Sequence, residues 1–223
     1  MHCLGAPCPL HPLQSQSTRF RRNCKIIVPD PLYLSLWYPT FSGPDAAARL
    51  LAVLHEIPFS AQLPGVTYTA VHPVSWSEAT VLERRHRPGV APEEAVDVVA
   101  DLFHDDYAYV FEAAWDLWVL QPDGQWALAP LPLRIVAHGE TFEDGVYKEA
   151  GHIEIELGLD APFLPGEDGV SAEAQEHVRE NIARLIDFTN RAERGSRASA
   201  RLLWSESDEN LAQKLVASLQ RLQ

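Results

Sequence analysis

Glu112 and Asp116 are acidic residues that interrupt an apolar, tryptophan-rich stretch of the chain. They are four positions apart, so both lie on the same face if the stretch is a β-strand. A carboxyl group beside Trp115 or Trp118 is partly desolvated, which raises its pKa toward the value that a general acid needs. We therefore take Glu112, Asp116 and His138, from a neighbouring segment, as candidate catalytic residues. The alternative is that this face is simply exposed to solvent.

Histidine and acidic residues come together in two further places where their types suit a metal ion. His152, Glu154 and Glu156 alternate with apolar residues and so share one face of a predicted strand. Same-face neighbours are roughly 6.5–7 Å apart, so a second element has to supply a ligand. His104 and Asp105 follow a predicted helix. Their types suit a divalent cation, but histidine is also favourable at the negative end of a helix dipole. Because a solvated strand face and an ordinary helix end explain both groups, no metal or other cofactor is predicted.

Three of the six tryptophans, Trp115, Trp118 and Trp126, fall within one predicted hairpin. Tryptophan is enriched at binding hot spots, and its indole N–H needs a partner when it is buried. Tryptophans exposed on the hairpin would form a recognition surface, and acidic surroundings favour a basic or neutral partner. We therefore predict a binding surface at these three residues, for a protein or a small molecule.

The short motifs that identify common enzyme classes are absent from the sequence. It has no Gly-x-Ser-x-Gly, no P-loop, no Gly-x-Gly-x-x-Gly, no His-Glu-x-x-His and no Cys-x-x-Cys. No cysteine follows Cys24, which excludes thiol catalysis in the rest of the chain. Many active sites are assembled from residues that are far apart in sequence, so these absences leave open whether the protein is an enzyme.

The charge balance disfavours nucleic acid and membranes as partners. Asp and Glu number 31 against 18 Lys and Arg, a formal net charge of −13, which repels phosphate groups and anionic lipid headgroups. No apolar run reaches the roughly 20 residues that span a bilayer.

All three cysteines, Cys3, Cys8 and Cys24, lie in one terminal segment, unlike those of a secreted domain stapled by disulfides. We expect no disulfides and a cytoplasmic location.

Residues 1–30 differ in composition from the residues that follow. They are rich in Pro, Gln, Ser and Arg and show no usable periodicity, so we expect a disordered tail or an extension from a mis-assigned start codon. The spacing of the cysteines and histidines there fits a zinc site only in part. We expect residues 31–223 to form a single domain, and its division into two lobes, 31–145 and 146–223, stays open.

Periodicity and turn residues predict the secondary structure of this domain. Pro122-Asp123-Gly124 predicts the turn of a β-hairpin. Pro130 and Pro132 predict that the return strand is not a continuous central one, and the polar stretch 191–200 predicts a linker. The predicted strands are 32–38, 66–71, 80–83, 107–120, 126–128, 133–136, 152–157 and 201–204, and the predicted helices are 43–57, 92–103, 171–190 and 208–222.

This order of elements predicts an α+β fold rather than a doubly wound parallel sheet. We expect a mixed or mainly antiparallel sheet with a long central hairpin, packed by about four helices; the alternative is two ferredoxin-like α+β halves. The predicted function is a binding or interaction module for a protein or a small molecule. The alternative is a hydrolase that uses carboxylates and histidine, with or without a divalent metal. A homo-oligomer is compatible with either function.

Overall fold

The computed structural model describes residues 30–164 and 171–205. The cysteines, the predicted tail except Asp30, and the predicted helix 208–222 lie outside these residues. The strands are β1 (Pro31–Trp37), β2 (Val66–Pro73), β3 (Leu82–Val90), β4 (Tyr107–Leu120), β5 (Trp126–His138), β6 (Ile153–Leu159) and β7 (Ala200–Ser205). The helices are α1 (Gly43–His55), α2 (Pro92–Asp97), α3 (Tyr147–Ala150) and α4 (Ala172–Ser196).

All seven strands form one sheet in the order β3-β2-β4-β5-β6-β1-β7, and every pair of neighbours is antiparallel. The α+β fold with a mainly antiparallel sheet is therefore confirmed. The long hairpin of β4 and β5 lies at the centre of the sheet, as predicted. In the described part of the chain, no helix has the length and apolar character needed to cross a membrane.

The predicted gap between the return strands 126–128 and 133–136 is wrong, whereas the expectation that the prolines do not lie in a central part of the strand is confirmed. β5 runs without interruption through Pro130 and Pro132, from Trp126 to His138. β6 pairs with β5 only from Arg134 onward, so at both prolines β5 has β4 as its only partner strand. Over this stretch β5 is an edge strand. Proline has no backbone N–H to donate, and on its unpaired side β5 has no neighbouring strand that needs a donor.

The predicted linker at 191–200 is also wrong in its first part, because α4 continues to Ser196. Its start is as expected: the Ser171 hydroxyl accepts a hydrogen bond from the backbone N–H of Ala174 at 3.2 Å. Its end is extended by packing. Ser196 is buried and its hydroxyl oxygen accepts a hydrogen bond from the Tyr38 hydroxyl at 2.9 Å, so contact with β1 and the residues after it holds the last turn.

The two faces of the sheet have different environments. One face packs against α1, α2 and α4 and contains most of the buried apolar residues; we call it the helix face. The other, the open face, carries a much smaller apolar cluster. The segment 139–151 and the loop around Trp76, together called the cover, lie over one end of this face, and the loop at Ala61 and Leu63 borders the other end. β6 is an inner strand, so its polar face is not the edge face that the sequence suggests.

Candidate ligand-binding site

The cover leaves one half of the open face exposed. Phe142, at the centre of the cover, packs on Ala108, Val110 and Val136 and is fully buried. Trp76 meets the Phe142 ring edge-on, with ring centroids 5.0 Å apart. The cover therefore protects the strand positions nearest the His138 end of β5 and ends at Trp76.

Beyond the cover, a row of charged side chains crosses the centre of the sheet. Glu112 of β4 is the register partner of Arg134 of β5, and Arg134 is in turn the partner of Glu156 of β6. Tyr68 of β2 and Tyr33 of β1 continue the row on either side. Because register partners lie on the same face, all five side chains line the open face. We call Glu112, Arg134 and Glu156 the charged row.

The charged row has no partners of its own in the structure. Within residues 30–164 and 171–205, the side chains of Glu112, Arg134 and Glu156 form no hydrogen bond or ion pair with another residue. The guanidinium carbon of Arg134 lies 5.4 Å from the centroid of the Trp76 ring, and its charge also acts on the nearby Glu154 carboxyl group. All three side chains are half-buried. Partly buried charged groups without partners are available to a ligand.

An apolar surface lies directly beside the charged row. Leu63, Ala114, Pro130 and Pro132 line one side of a cleft whose other side is the charged row; we call these four residues the apolar wall. Gly158 also lines the cleft, at φ +82°, and contributes no side chain. The cleft has a volume of about 410 Å³, within the range of sites for small molecules.

Comparison with known proteins adds no residue to this site. No family model matches the chain, and neither does any curated protein or solved structure. What the cleft binds is therefore inferred from the chemistry of its own side chains.

Burial shifts the pKa of several titratable groups on the open face, among them His138, His152 and Glu154. It lowers the pKa of His138 and of His152 to about 4, so both imidazoles are neutral at pH 7. It raises the pKa of Glu154, against the opposing effect of the nearby Arg134 charge. His138 donates from Nδ1 to the Gly151 carbonyl oxygen at 3.0 Å. Both histidines lie under or beside the cover, so they stabilise the structure without reaching the cleft.

The three candidate catalytic residues do not come together. Glu112 belongs to the charged row, whereas the Asp116 carboxylate accepts a hydrogen bond from the backbone N–H of Ala61 at 3.0 Å and anchors that loop. His138 is four positions from Arg134 along β5, and Asp116 is four positions from Glu112 along β4. At about 3.3 Å per residue, each is about 13 Å from the charged row, in opposite directions.

The metal candidates do not come together as a metal site. Within residues 30–164 and 171–205, no three His, Cys, Asp or Glu side chains are close enough together to hold a metal ion. His152 Nδ1 accepts a hydrogen bond from the Tyr38 backbone N–H at 3.1 Å, and Glu154 lies between His152 and Glu156 on the same face of β6. His104 packs against the Tyr107 ring at 4.8 Å, and the Asp105 carbonyl oxygen accepts from the Thr141 N–H at 2.8 Å.

The three tryptophans of the predicted binding surface lie in different environments. Trp115 is 1% exposed and belongs to the helix-face core, so the prediction that it forms part of a surface is wrong. Trp118 packs against His177 of α4 with the ring centroids 4.1 Å apart, and its indole N–H donates to Glu180 at 2.7 Å. Trp126 lies 5.3 Å from the same imidazole ring. Both half-buried tryptophans dock the hairpin on α4, and a role for them in binding stays a prediction.

Sequence reasoning selected Glu112 and noted Glu156 but missed Arg134 and Trp76 as site residues. A single charged residue within the apolar run 133–137 was the available signal for Arg134. That signal does not identify its neighbours, because strand register is set by pairing between residues far apart in sequence.

Proposed function

We propose that this chain is a binding module whose ligand occupies the cleft between the charged row and the apolar wall. The ligand carries a positively charged group on an apolar body. One observation carries the proposal: Glu112 and Glu156 lie in register on either side of Arg134, half-buried and without partners among the described residues.

The sign of the ligand's charge follows from the charges in the row. Two carboxylates and one guanidinium leave a net charge of −1, and the whole chain has a formal net charge of −13. A cation 4 Å from one carboxylate gains about 4 kcal/mol at an effective dielectric constant of 20. For a cation equally distant from all three groups, the attraction by one carboxylate cancels the repulsion by Arg134. The attraction by the second carboxylate remains.

The size and lining of the cleft favour a small molecule over a folded protein surface. A volume of about 410 Å³ fits a compact ligand. Removing the apolar wall from water provides affinity at about 25 cal/mol per Å², and the charged row provides orientation. The hydrolase alternative has no comparable support, because Glu112, Asp116 and His138 are spread along the strands.

The test compares a charged ligand with a neutral one of the same shape. We expect calorimetric titration at pH 7 to show binding of 3-methylbutylamine, which is protonated, at least tenfold tighter than binding of the neutral alcohol 3-methylbutan-1-ol. The double variant Glu112→Gln, Glu156→Gln removes both carboxylates with little change in shape, and we expect it to lose this preference.

A matched control removes one carboxylate elsewhere. Glu176→Gln changes an exposed residue of α4 and should bind the amine as the unchanged chain does. No detectable binding of the amine, or equal binding by the double variant, would contradict the proposal.

A further inference from the structure

We propose that Arg134 makes this cleft a site for a free α-amino acid with an apolar side chain, an inference that rests on the proposed function. An amine alone leaves Arg134 without a partner, and an acid alone leaves both glutamates without one. A zwitterion carries both charges, so its carboxylate pairs with Arg134 and its ammonium pairs with the glutamates.

The guanidinium of Arg134 is held in a position suited to a carboxylate. Trp76 lies against it from the covered side of the open face, and no acceptor of the described residues uses any of its N–H groups. Guanidinium presents five donors in a planar fork that matches a carboxylate through two parallel hydrogen bonds. Arg134 is one of the residues that line the cleft, and we infer that a carboxylate in the cleft reaches the guanidinium that the Trp76 ring holds in place.

The glutamates are placed for the ammonium of the same ligand. Neighbouring strands are 4.7–4.9 Å apart, and Arg134 has a glutamate as its register partner on each side. An α-amino acid carries its ammonium and carboxylate on one carbon atom, so the two charges reach side chains of adjacent strands. A peptide end carries only one of the two groups, and therefore satisfies only part of the row.

The apolar wall receives the ligand's side chain. Ala114 and Pro132 are register partners two positions along their strands from Glu112 and Arg134, and so lie beside the charged row on the same face. Gly158 leaves the adjoining position on β6 without a side chain. A branched aliphatic chain such as that of leucine extends from the charged row onto Ala114, Pro132 and Leu63.

The experiment compares leucine with the two molecules obtained by removing one of its charged groups. Calorimetry at pH 7 measures leucine, 3-methylbutylamine, which lacks the carboxylate, and 4-methylpentanoate, which lacks the ammonium. We expect leucine to bind at least tenfold more tightly than either.

Arg134→Gln separates the inference from the proposed function. We expect this variant to bind leucine at least tenfold more weakly, and to bind 3-methylbutylamine equally well or more tightly because a repulsive charge is removed. Arg134→Lys keeps the charge without the planar fork and should show an intermediate affinity for leucine. Unchanged thermal unfolding of the variants shows that any loss is not a loss of fold, and Glu176→Gln is the control in this series too.

Different failures have different meanings. If the amine binds as tightly as leucine and Arg134→Gln weakens neither, the amino-acid inference is overturned and the proposed function stands. If neither amine nor leucine binds, both are overturned. If leucine binds and all three variants at Arg134 and the glutamates bind it equally, the cleft is not the site.

Discussion

The helix face and the open face of the sheet differ most clearly along the single strand β4. Phe111 faces the helices and is 0% exposed, whereas Glu112, the next residue, is half-buried on the open face. The helix face is a continuous apolar core. The open face has a small apolar cluster at one end and unpaired charges at its centre. The comparison indicates that one face maintains the fold, and the other is the face on which we propose ligand binding.

The largest expected effect contrasts these two neighbouring residues. Phe111→Ala removes a fully buried ring and leaves a cavity, so we expect a loss of about 3–5 kcal/mol in the free energy of unfolding. Glu112→Ala removes a side chain without partners, so we expect a change within about 0.5 kcal/mol. Urea denaturation of both variants provides the measurement. Similar losses for the two would mean that Glu112 has a structural role and that the two faces do not differ as described.

The next effect concerns the covered end of the open face and appears as pH dependence. His138 has a pKa near 6.5 in the unfolded chain and about 4 in the folded one, chiefly because it is buried. Between these values the unfolded state binds more protons, so stability falls as the pH is lowered from 6.5 to 4. One such group accounts for a loss of about 2–3 kcal/mol.

His138→Gln isolates this contribution, since glutamine does not take up a proton. We expect the variant to lose less stability than the unchanged chain between pH 6.5 and pH 4, measured by urea denaturation at each pH. His55→Gln is the matched control, because it makes the same replacement at a histidine that is exposed rather than buried. Parallel pH profiles for all three proteins would show that His138 is not buried in its neutral form.

The smallest effect concerns the helix that covers the helix face. Ser171→Ala removes the N-terminal cap of α4, and we expect a loss of about 1 kcal/mol. Ser171→Asp keeps an acceptor for the Ala174 N–H and adds a favourable charge at the helix start. We expect it to unfold at the same denaturant concentration as the unchanged chain or a higher one. A loss as large as that of the alanine variant would indicate that this cap does not form.

Local chemistry made several elements predictable. The alternation from Tyr107 to Leu120, the turn at 122–124 and the capping serine at Ser171 each depend on residues close together in sequence. The predictions that failed depended on tertiary neighbours. Pro130 is tolerated because of where β6 starts to pair, and the last turn of α4 forms because Ser196 meets Tyr38.

The candidate site was predictable only in part for the same reason. Glu112 was recognisable as an acid in an apolar strand, and the polar face of β6 was recognisable from its alternation. That Arg134 lies between Glu112 and Glu156 depends on the register of three strands, which no short stretch of sequence determines. Trp115 shows the same limit from the other side. The strand pattern predicted that it lies on a binding surface, whereas the structure buries it in the helix-face core.

The location of ligand binding is the most direct test of the difference between the two faces. Titration of ¹⁵N-labelled protein with 3-methylbutylamine, followed by amide chemical shifts, maps the residues that sense the ligand. We predict saturable shifts at 112–114, 133–134 and 156–158, with no shifts in the middle of α1 or α4. Shifts confined to the helices, or none at concentrations where calorimetry detects binding, would contradict the account.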